Sequence, residues 1–172
     1  MKRMAYLRRL SALTKKYGAE NVVYTDESGF KKHSYRRHGW VRRGTILYGF
    51  VHGNNRKCTN LIMAQRNGQW FAAETFEENC TAQRVNAWLE KTLIPKLTKP
   101  SVIVMDNAPF HKKAKIKKVL KKYGHVALFL PPYSPDFNPI ENSFGIIKRK
   151  REFATPNTPI LDIVKSSEFY WE

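Results

Sequence analysis

The sequence predicts an α/β fold: a mixed β-sheet, with an antiparallel hairpin followed by parallel strands, flanked by helices on both faces. β-prone segments joined by turns come first along the chain, and strands that alternate with amphipathic helices follow them. Right-handed crossovers between parallel strands would place the first strand beside the strand that precedes Asp106. Asp26 and Asp106 would then end at the same edge of the sheet.

The antiparallel part is predicted from β-branched and aromatic residues that lie between turn-forming residues. The first strand is Val22–Asp26, and a turn is expected over residues 27–33. Residues 45–64 are predicted to form an antiparallel hairpin. Residues 70–76 add a short edge strand.

Helices are predicted where apolar residues recur at three- and four-residue steps. Residues 1–17 form such a helix, with an apolar face made of Met4, Leu7, Leu10, Leu13 and Tyr17. Thr81 caps a second helix, and a lysine-rich helix is expected at 112–123. Buried strands are predicted next to these helices, at 102–105 and 126–130.

A stiff loop with four prolines, at residues 131–139, leads into the next helix. Asn138 is predicted to cap that helix, with Pro139 in the first helical position and the basic run 148–151 at its far end. A final helix begins at Ile160.

Composition limits the possible partners. Lys and Arg number 31 against 14 Asp and Glu, a net charge of +17, which favours a polyanion, with nucleic acid first and a membrane surface second. A merely solvated basic surface is the alternative. An apolar content of 42% excludes global disorder, and 172 residues suit one domain. The sequence has no 18-residue apolar run and no secretory signal, and Cys58 and Cys80 lack metal-type spacing, so a cytoplasmic protein with reduced thiols is expected.

Three acids lie in marked places. Asp26 ends the first strand, Asp106 follows the buried run before it, and Glu141 follows the proline-rich loop. Carboxylates without cysteine or histidine ligands select Mg²⁺ or Mn²⁺, and two such ions can catalyse phosphodiester chemistry. We therefore expect Asp26, Asp106 and Glu141 to form one catalytic metal site that holds two ions.

Each acid also has a structural alternative. Asp26 could initiate a turn, Asp106 could cap the turn at Asn107, and Glu141 could complete a capping box with Asn138. Two other acids compete for places in the site: Asp136 with Glu141, and, more weakly, Glu27 with Asp26.

Basic and aromatic residues are candidates for DNA contacts, because cations suit phosphates and aromatic rings suit bases. Trp40 could instead be a core anchor, the lysine-rich helix could be only solvated, and His111 could be a structural histidine. The candidates are Arg36, Arg37, Trp40, Arg42, Arg43, His111, Lys112, Lys113, Lys148 and Arg149.

Three segments resemble the signature blocks of mariner-like insertion-sequence transposases, which are DDE-type enzymes with a ribonuclease H-like catalytic domain. They are Thr25–Phe30, Met105–His111 and Leu130–Asn142, and 34 residues separate Asp106 from Glu141, as in that branch. The resemblance implies that Asp26, Asp106 and Glu141 bind the catalytic metal. It also implies hydrolysis at transposon ends, followed by transfer of the freed 3′-hydroxyl into target DNA.

The resemblance also predicts the organisation of the protein. Residues 1–19 would be an N-terminal helix and linker, 20–153 the catalytic domain, and 154–172 a C-terminal helical extension. Relatives carry a helix-turn-helix region and act as dimers, so a homodimer is expected, with that recognition region absent from this chain. A bacterial, nucleoid-associated location would follow. Two alternatives stay open: an inactive DNA-binding transposase remnant, and a related ribonuclease H-like nuclease.

Overall fold

A computed structural model describes residues 2–31, 39–46, 48, 58–108, 112–155 and 157–171. Within these residues, five strands form one sheet: β1 (Val22–Lys31), β2 (Cys58–Arg66), β3 (Gln69–Phe76), β4 (Val102–Met105) and β5 (Val126–Phe129). The same described part of the chain contains five helices that cover the sheet: α1 (Lys2–Tyr17), α2 (Ala82–Trp88), α3 (Lys113–Lys122), α4 (Ile140–Phe153) and α5 (Ile160–Lys165). A π-helical turn (Leu89–Leu93) and a 3-10 turn (Ile94–Lys96) continue α2.

The strand order across the sheet is β3-β2-β1-β4-β5. The pairs β1–β2 and β2–β3 are antiparallel, whereas β1–β4 and β4–β5 are parallel. The predicted mixed sheet and the predicted neighbourhood of the first and central strands are therefore confirmed. Thr81 caps α2 as expected, because its side chain accepts a hydrogen bond from the backbone N–H of Arg84.

The predicted turn after Asp26 is wrong over the residues that the structure describes there. β1 continues to Lys31, and residues 26–31 pair with β2. Gly29 lies in a tightly packed part of this strand, because a Cβ atom at that position would lie 3.0 Å from the Sγ atom of Cys58. The polar run Glu27-Ser28 was therefore a poor turn signal: these residues sit on a paired strand and are half-buried.

The predicted hairpin at 45–64 is also wrong in its pairing, because β2 pairs with β1 and β3. Thr45, Ile46 and Tyr48 are exposed and belong to no strand, and the other positions of 45–57 lie outside the described residues. The edge strand predicted at 70–76 is confirmed as β3.

One face of the sheet carries a single apolar cluster, formed with α2, its continuation and α3. The opposite face carries two clusters. The first, the α4/α5 cluster, joins Leu61, Met63 and Trp70 to side chains of those helices. The second, the α1 cluster, joins Tyr6 to Val22, Val102, Val104, Leu128 and Leu130. Both faces are thus covered, as the fold class predicted.

The apolar face of α1 differs from the predicted one. Met4 and Leu7 are 58% and 38% exposed, whereas Tyr6 is buried. Leu10, Leu13 and Tyr17 pack beside Tyr6, so the buried face begins at position 6. Positions 6, 10, 13 and 17 also follow helical spacing. The predicted apolar face omits Tyr6, because its side chain carries a polar hydroxyl.

The outer edge of β3 is covered by the C-terminal segment. The backbone N–H of Trp70 donates to the carbonyl of Phe169 at 2.6 Å, and that of Trp171 donates to the carbonyl of Trp70 at 2.7 Å. Among the described residues, no helix combines the length and the apolar character that crossing a membrane requires.

Candidate active site

Asp26 and Asp106 lie level with each other at one edge of the sheet. Tyr24 of β1 pairs with Val104 of β4, and each aspartate lies two residues further along its chain. The strands are parallel, so both carboxylates reach the edge formed by the carboxyl ends of the parallel strands. The alternative in which Asp26 initiates a turn does not hold, since the strand runs past it.

Glu141 reaches the same place through the proline loop, which we define as residues 131–139. The backbone N–H of Leu130 donates to the carbonyl of Met105, which anchors the start of the loop beside β4. A 3-10 turn at Pro135–Phe137 precedes α4, and Glu141 lies in the first turn of that helix. The positive end of the helix dipole favours a carboxylate there.

The three predicted acids line one cleft of about 390 Å³. Backbone and side-chain atoms of the proline loop form one wall, and the segment after β4 forms another. The lining residues are Asp26, Asp106, Asn107, Ala108, Leu130, Pro131, Pro132, Tyr133, Ser134, Pro135, Asn138 and Glu141.

The environment of Asp26 disfavours its charged form. Burial, together with the nearby carboxylates of Glu27, Glu141 and Asp106, raises the pKa of Asp26 to about 8, against the lowering effect of the backbone hydrogen bond from Glu27. Within the described part of the chain, no Lys or Arg forms an ion pair with Asp26 or Glu141. Asp26 and Glu141 therefore bring negative charge to the cleft without an ion-paired Lys or Arg among the described residues.

Asn138 does not cap α4 as predicted. Pro139 occupies the N-cap position, without a side-chain hydrogen bond, and the helix begins at Ile140. The side chain of Asn138 is buried and donates from Nδ2 to Oδ2 of Asp26 at 3.1 Å. The capping box is absent too, because the backbone N–H of Asn138 donates to the carbonyl of Pro135. Sequence reasoning thus missed a direct contact to a site carboxylate.

The two competing acids lie outside the cleft. Asp136 binds the guanidinium of Arg3 through both carboxylate oxygens, at 3.0 and 2.5 Å. This pairing lowers the pKa of Asp136. Glu27 is absent from the cleft lining; its charge raises the pKa of Asp26, and its backbone N–H donates to Oδ1 of Asp26.

The chemistry of the cleft fits a hard divalent cation. Its polar side chains offer oxygen atoms, and the buried Oδ1 atoms of Asn107 and Asn138 accept no hydrogen bond from the described residues. No group of three His, Cys, Asp or Glu side chains in the described segments is arranged to hold an ion as it stands. The presence of all three carboxylates in one cleft is the stronger argument for a cation site. Like-charged carboxylates repel each other, and a bound cation would offset that repulsion.

The structure describes seven of the ten candidate DNA-binding residues; Arg36, Arg37 and His111 lie outside the described residues. All seven are exposed: Trp40, Arg42, Arg43, Lys112, Lys113, Lys148 and Arg149. The alternative that Trp40 anchors the core is wrong, because its ring is fully exposed. The role of these residues in binding DNA stays a prediction.

A basic groove adjoins the cleft and shares Pro131 and Pro132 with it. The groove has a volume of about 350 Å³ and runs between α1, α3 and β5. Its cations are Lys2, Arg9, Lys113 and Lys117, and none of the described residues that line it is acidic. The Nζ atoms of Lys113 and Lys117 lie 5.5 and 6.0 Å from the centroid of the Phe129 ring. Of this set, only Lys113 is among the ten candidate DNA contacts, since the groove depends on how α1 docks.

The chain belongs to the DDE superfamily endonucleases, whose family model matches residues 21–157. It is similar in structure to the crystal structure of the mariner Mos1 paired end complex with Mg, with a TM-score of 0.76 and 21% identity over 99% of this chain and 56% of that chain. For the Mos1 Strand Transfer Complex the values are 0.74 and 21%, over 95% and 50%.

The catalytic domain of Mos1 mariner transposase gives a TM-score of 0.63 and 17% identity, over 95% of this chain and 76% of that chain. These likenesses show a shared fold. This chain spans about half the length of the Mos1 chains in the two complexes. A comparison with proteins of curated function finds no match.

Proposed function

We propose that this chain is the catalytic domain of a DDE transposase, which cuts DNA at transposon ends and joins the freed end to target DNA. The observation that carries the proposal is the convergence of Asp26, Asp106 and Glu141, from three separate segments, on one cleft. Membership of the DDE endonuclease family supports the same reading.

Asp26, Asp106 and Glu141 are the residues that would hold the divalent ions, Mg²⁺ or Mn²⁺, of which we propose two. Once bound, such ions activate the attacking oxygen and stabilise the charge on the leaving oxygen. Asp26, whose raised pKa favours a bound proton, would release that proton on holding a cation, and the carboxylates would then repel each other less.

Two displacements at phosphorus account for the activity. In the first, a water oxygen attacks a phosphodiester at the transposon end, the P–O3′ bond breaks, and the 3′ oxygen leaves with a proton. In the second, that 3′-hydroxyl attacks a phosphodiester of the target, forming one P–O bond as another breaks. The number of phosphodiester bonds is unchanged in the second step, so it requires no external energy source.

The basic groove and the exposed cations are the proposed path of the DNA backbone. The groove adjoins the acidic cleft, so phosphates bound by Lys113 and Lys117 would lie close to the scissile bond. Counterion release would then make affinity fall steeply with salt.

The proposed organisation follows from the family. Residues 20–153 would be the catalytic domain, flanked by the N-terminal helix and the C-terminal helical extension, and two copies would pair the transposon ends. End recognition would require a helix-turn-helix region like that of the relatives. A nucleoid-associated location would follow from these DNA partners.

Nicking of a labelled DNA duplex with Mg²⁺ or Mn²⁺ tests the proposal. We expect cleavage that EDTA stops and that Asp106→Asn lowers by more than about a hundredfold, since even outer partners of metal ligands cost 10–100-fold. Binding of DNA should be equal or tighter in that variant, because it removes one negative charge near the phosphates.

Asp162→Asn is the matched control, since it removes the same charge from an exposed position on α5. Cleavage by Asp106→Asn at the wild-type rate would refute the site. Metal-dependent cleavage of RNA–DNA hybrids without strand transfer would favour the nuclease alternative. DNA binding without metal-dependent cleavage would favour an inactive remnant.

A further inference from the structure

The proline loop is held on its outer side by α1. The guanidinium of Arg3 donates to Oγ of Ser134 at 3.0 Å and to both carboxylate oxygens of Asp136. The same guanidinium lies 4.1 Å from the centroid of the Phe137 ring. A half-exposed ion pair alone contributes little. Here, however, one guanidinium fixes three residues of a single loop turn.

Tyr6 reinforces this attachment one helical turn further along α1. Its ring stacks on Phe137 with centroids 5.4 Å apart and an interplanar angle of 11°. Tyr6 is buried in the α1 cluster, so the stack joins the loop to the hydrophobic core. The loop is therefore attached to α1 through both Arg3 and Tyr6.

On its inner side, the next residue of the loop contacts the acidic site. Asn138 is 3% exposed, and its Nδ2 atom donates to Oδ2 of Asp26. A carboxylate that binds a cation is ionised and can only accept hydrogen bonds, so the amide must present its NH₂ group to Asp26. Oδ1 of Asp26 accepts from the backbone N–H of Glu27 at 2.9 Å, so the two donors together fix the plane of the carboxylate.

We propose that Arg3 and Asn138 are positioning residues for the acidic site. Arg3 fixes the position of the proline loop, and Asn138, which belongs to that loop, fixes the orientation of the Asp26 carboxylate through its hydrogen bond. The inference rests on the proposed function, because it assigns these residues to the same metal-binding cleft. The family model begins at residue 21, so it assigns nothing to Arg3. The N-terminal helix thereby becomes part of the catalytic apparatus, although it contributes no reacting group.

The test compares Asn138→Ala, Arg3→Met and the double variant with Arg8→Met, which removes an exposed guanidinium from the same helix. One measurement is the rise in Tm with Mn²⁺ concentration in the absence of DNA. A second is the Mn²⁺ concentration that gives half-maximal nicking. DNA affinity in EDTA and the metal-free Tm are measured alongside.

We expect Asn138→Ala to raise the half-saturating Mn²⁺ concentration about 10–100-fold, the range typical of residues that orient metal ligands. Arg3→Met should shift it in the same direction by less. The double variant should match Asn138→Ala alone, because both residues act through one contact. Arg8→Met should respond to Mn²⁺ as the wild type does, and Asn138→Ala should bind DNA normally in EDTA.

Wild-type half-saturation in Asn138→Ala would overturn the inference, and so would additive losses in the double variant. A purely structural role would lower the metal-free Tm and leave the half-saturating concentration unchanged. If Asn138→Ala fails to fold, Asn138→Leu keeps the branched shape without the donor, and Arg3→Met is read independently. A wild type that neither responds to metal nor nicks DNA would refute the proposed function as well; an active wild type with unaffected variants would refute only the positioning.

Discussion

The two faces of the sheet are built differently. One face has a single apolar cluster in which Trp88, Leu93 and Leu120 are almost completely buried beneath continuous helical cover. The other face is divided between the α1 cluster and the α4/α5 cluster. The chain thus has one face with a single continuous core and one face whose core is divided into two clusters.

The acidic cleft is tied to the divided face. Phe137 packs against the α1 cluster and Ile140 lies in the α4/α5 cluster, so Asn138, which contacts Asp26, sits between the two. Tyr24 of β1 packs against both clusters. We infer from this comparison that the face with the single cluster contributes most to stability. The packing of α1 and of α4 and α5 on the other face determines the geometry of the site.

Removing a large side chain from the face with the single cluster should have the largest effect. Trp88 is 1% exposed and its Nε1 donates to the carbonyl of Ala72 at 2.8 Å. We expect Trp88→Ala to lower the free energy of unfolding by about 3–5 kcal/mol. Urea denaturation followed by circular dichroism measures this loss. Met4→Ala, at an exposed position, should change stability by less than about 0.5 kcal/mol; equal losses in both variants would contradict the comparison.

On the divided face, Tyr6→Ala should have a smaller and more local effect. We expect a loss of about 2–3 kcal/mol, because α1 buries few other side chains. Hydrogen exchange should show faster exchange across α1 while the amides of β4 stay protected, since weakly packed elements open locally. Simultaneous loss of protection in α1 and β4 would show that the two faces unfold as one unit.

Protonation of His125, at the end of the sheet opposite the cleft, should make the stability of the fold depend on pH. Burial lowers the pKa of His125, whose Nδ1 accepts a hydrogen bond from the backbone N–H of Ser101 at 3.1 Å. Below about pH 6.5 the unfolded chain binds a proton that the folded state resists, so stability should fall as pH drops, by at most about 1.4 kcal/mol per pH unit.

Unfolding midpoints between pH 7.5 and pH 5 measure this slope. His125→Asn retains a hydrogen-bond acceptor without titrating, so the slope should be shallower in that variant. An unchanged slope would assign the acid sensitivity to other groups.

The smallest effect is expected for Tyr6→Phe. The hydroxyl of Tyr6 is buried without a hydrogen-bond partner among the described residues, and burial raises its pKa, so it stays neutral. Deleting it removes an unsatisfied polar group while keeping the stack on Phe137. The variant should match the wild type within about 0.5 kcal/mol or be more stable. A loss above 1 kcal/mol in urea denaturation would reveal a contact of this hydroxyl that matters for folding.

Much of the fold could be predicted from the sequence, because its parallel half has strong local signals. The apolar run before Asp106, the lysine-rich helix and the Thr81 cap all appear where their patterns indicate. The errors fall where pairing partners decide the outcome. β1 runs through Glu27-Ser28-Gly29 because β2 lies alongside it, and no local pattern near residue 27 reports a partner that begins at residue 58.

The same distinction, between local signals and contacts of distant segments, applies to the acidic site. The three acids could be selected from strand ends and from the proline loop, and they do share a cleft. Asn138 carried a strong helix-capping signal, and its actual partner lies 112 residues away in sequence. In the sequence, nothing distinguishes Arg3 from the many other cations. Only the structure shows its contacts with Ser134, Asp136 and Phe137. Contacts made between distant segments were the part that sequence patterns could not supply.

The segment that lies along β3 has a consequence for solubility. A sheet edge with free N–H and C=O groups is a template on which other chains can pair and aggregate. Residues 169–171 occupy that edge through hydrogen bonds to both the backbone N–H and the carbonyl of Trp70. This short stretch therefore protects the edge strand from self-association, and its removal would expose a strand rich in aromatic side chains.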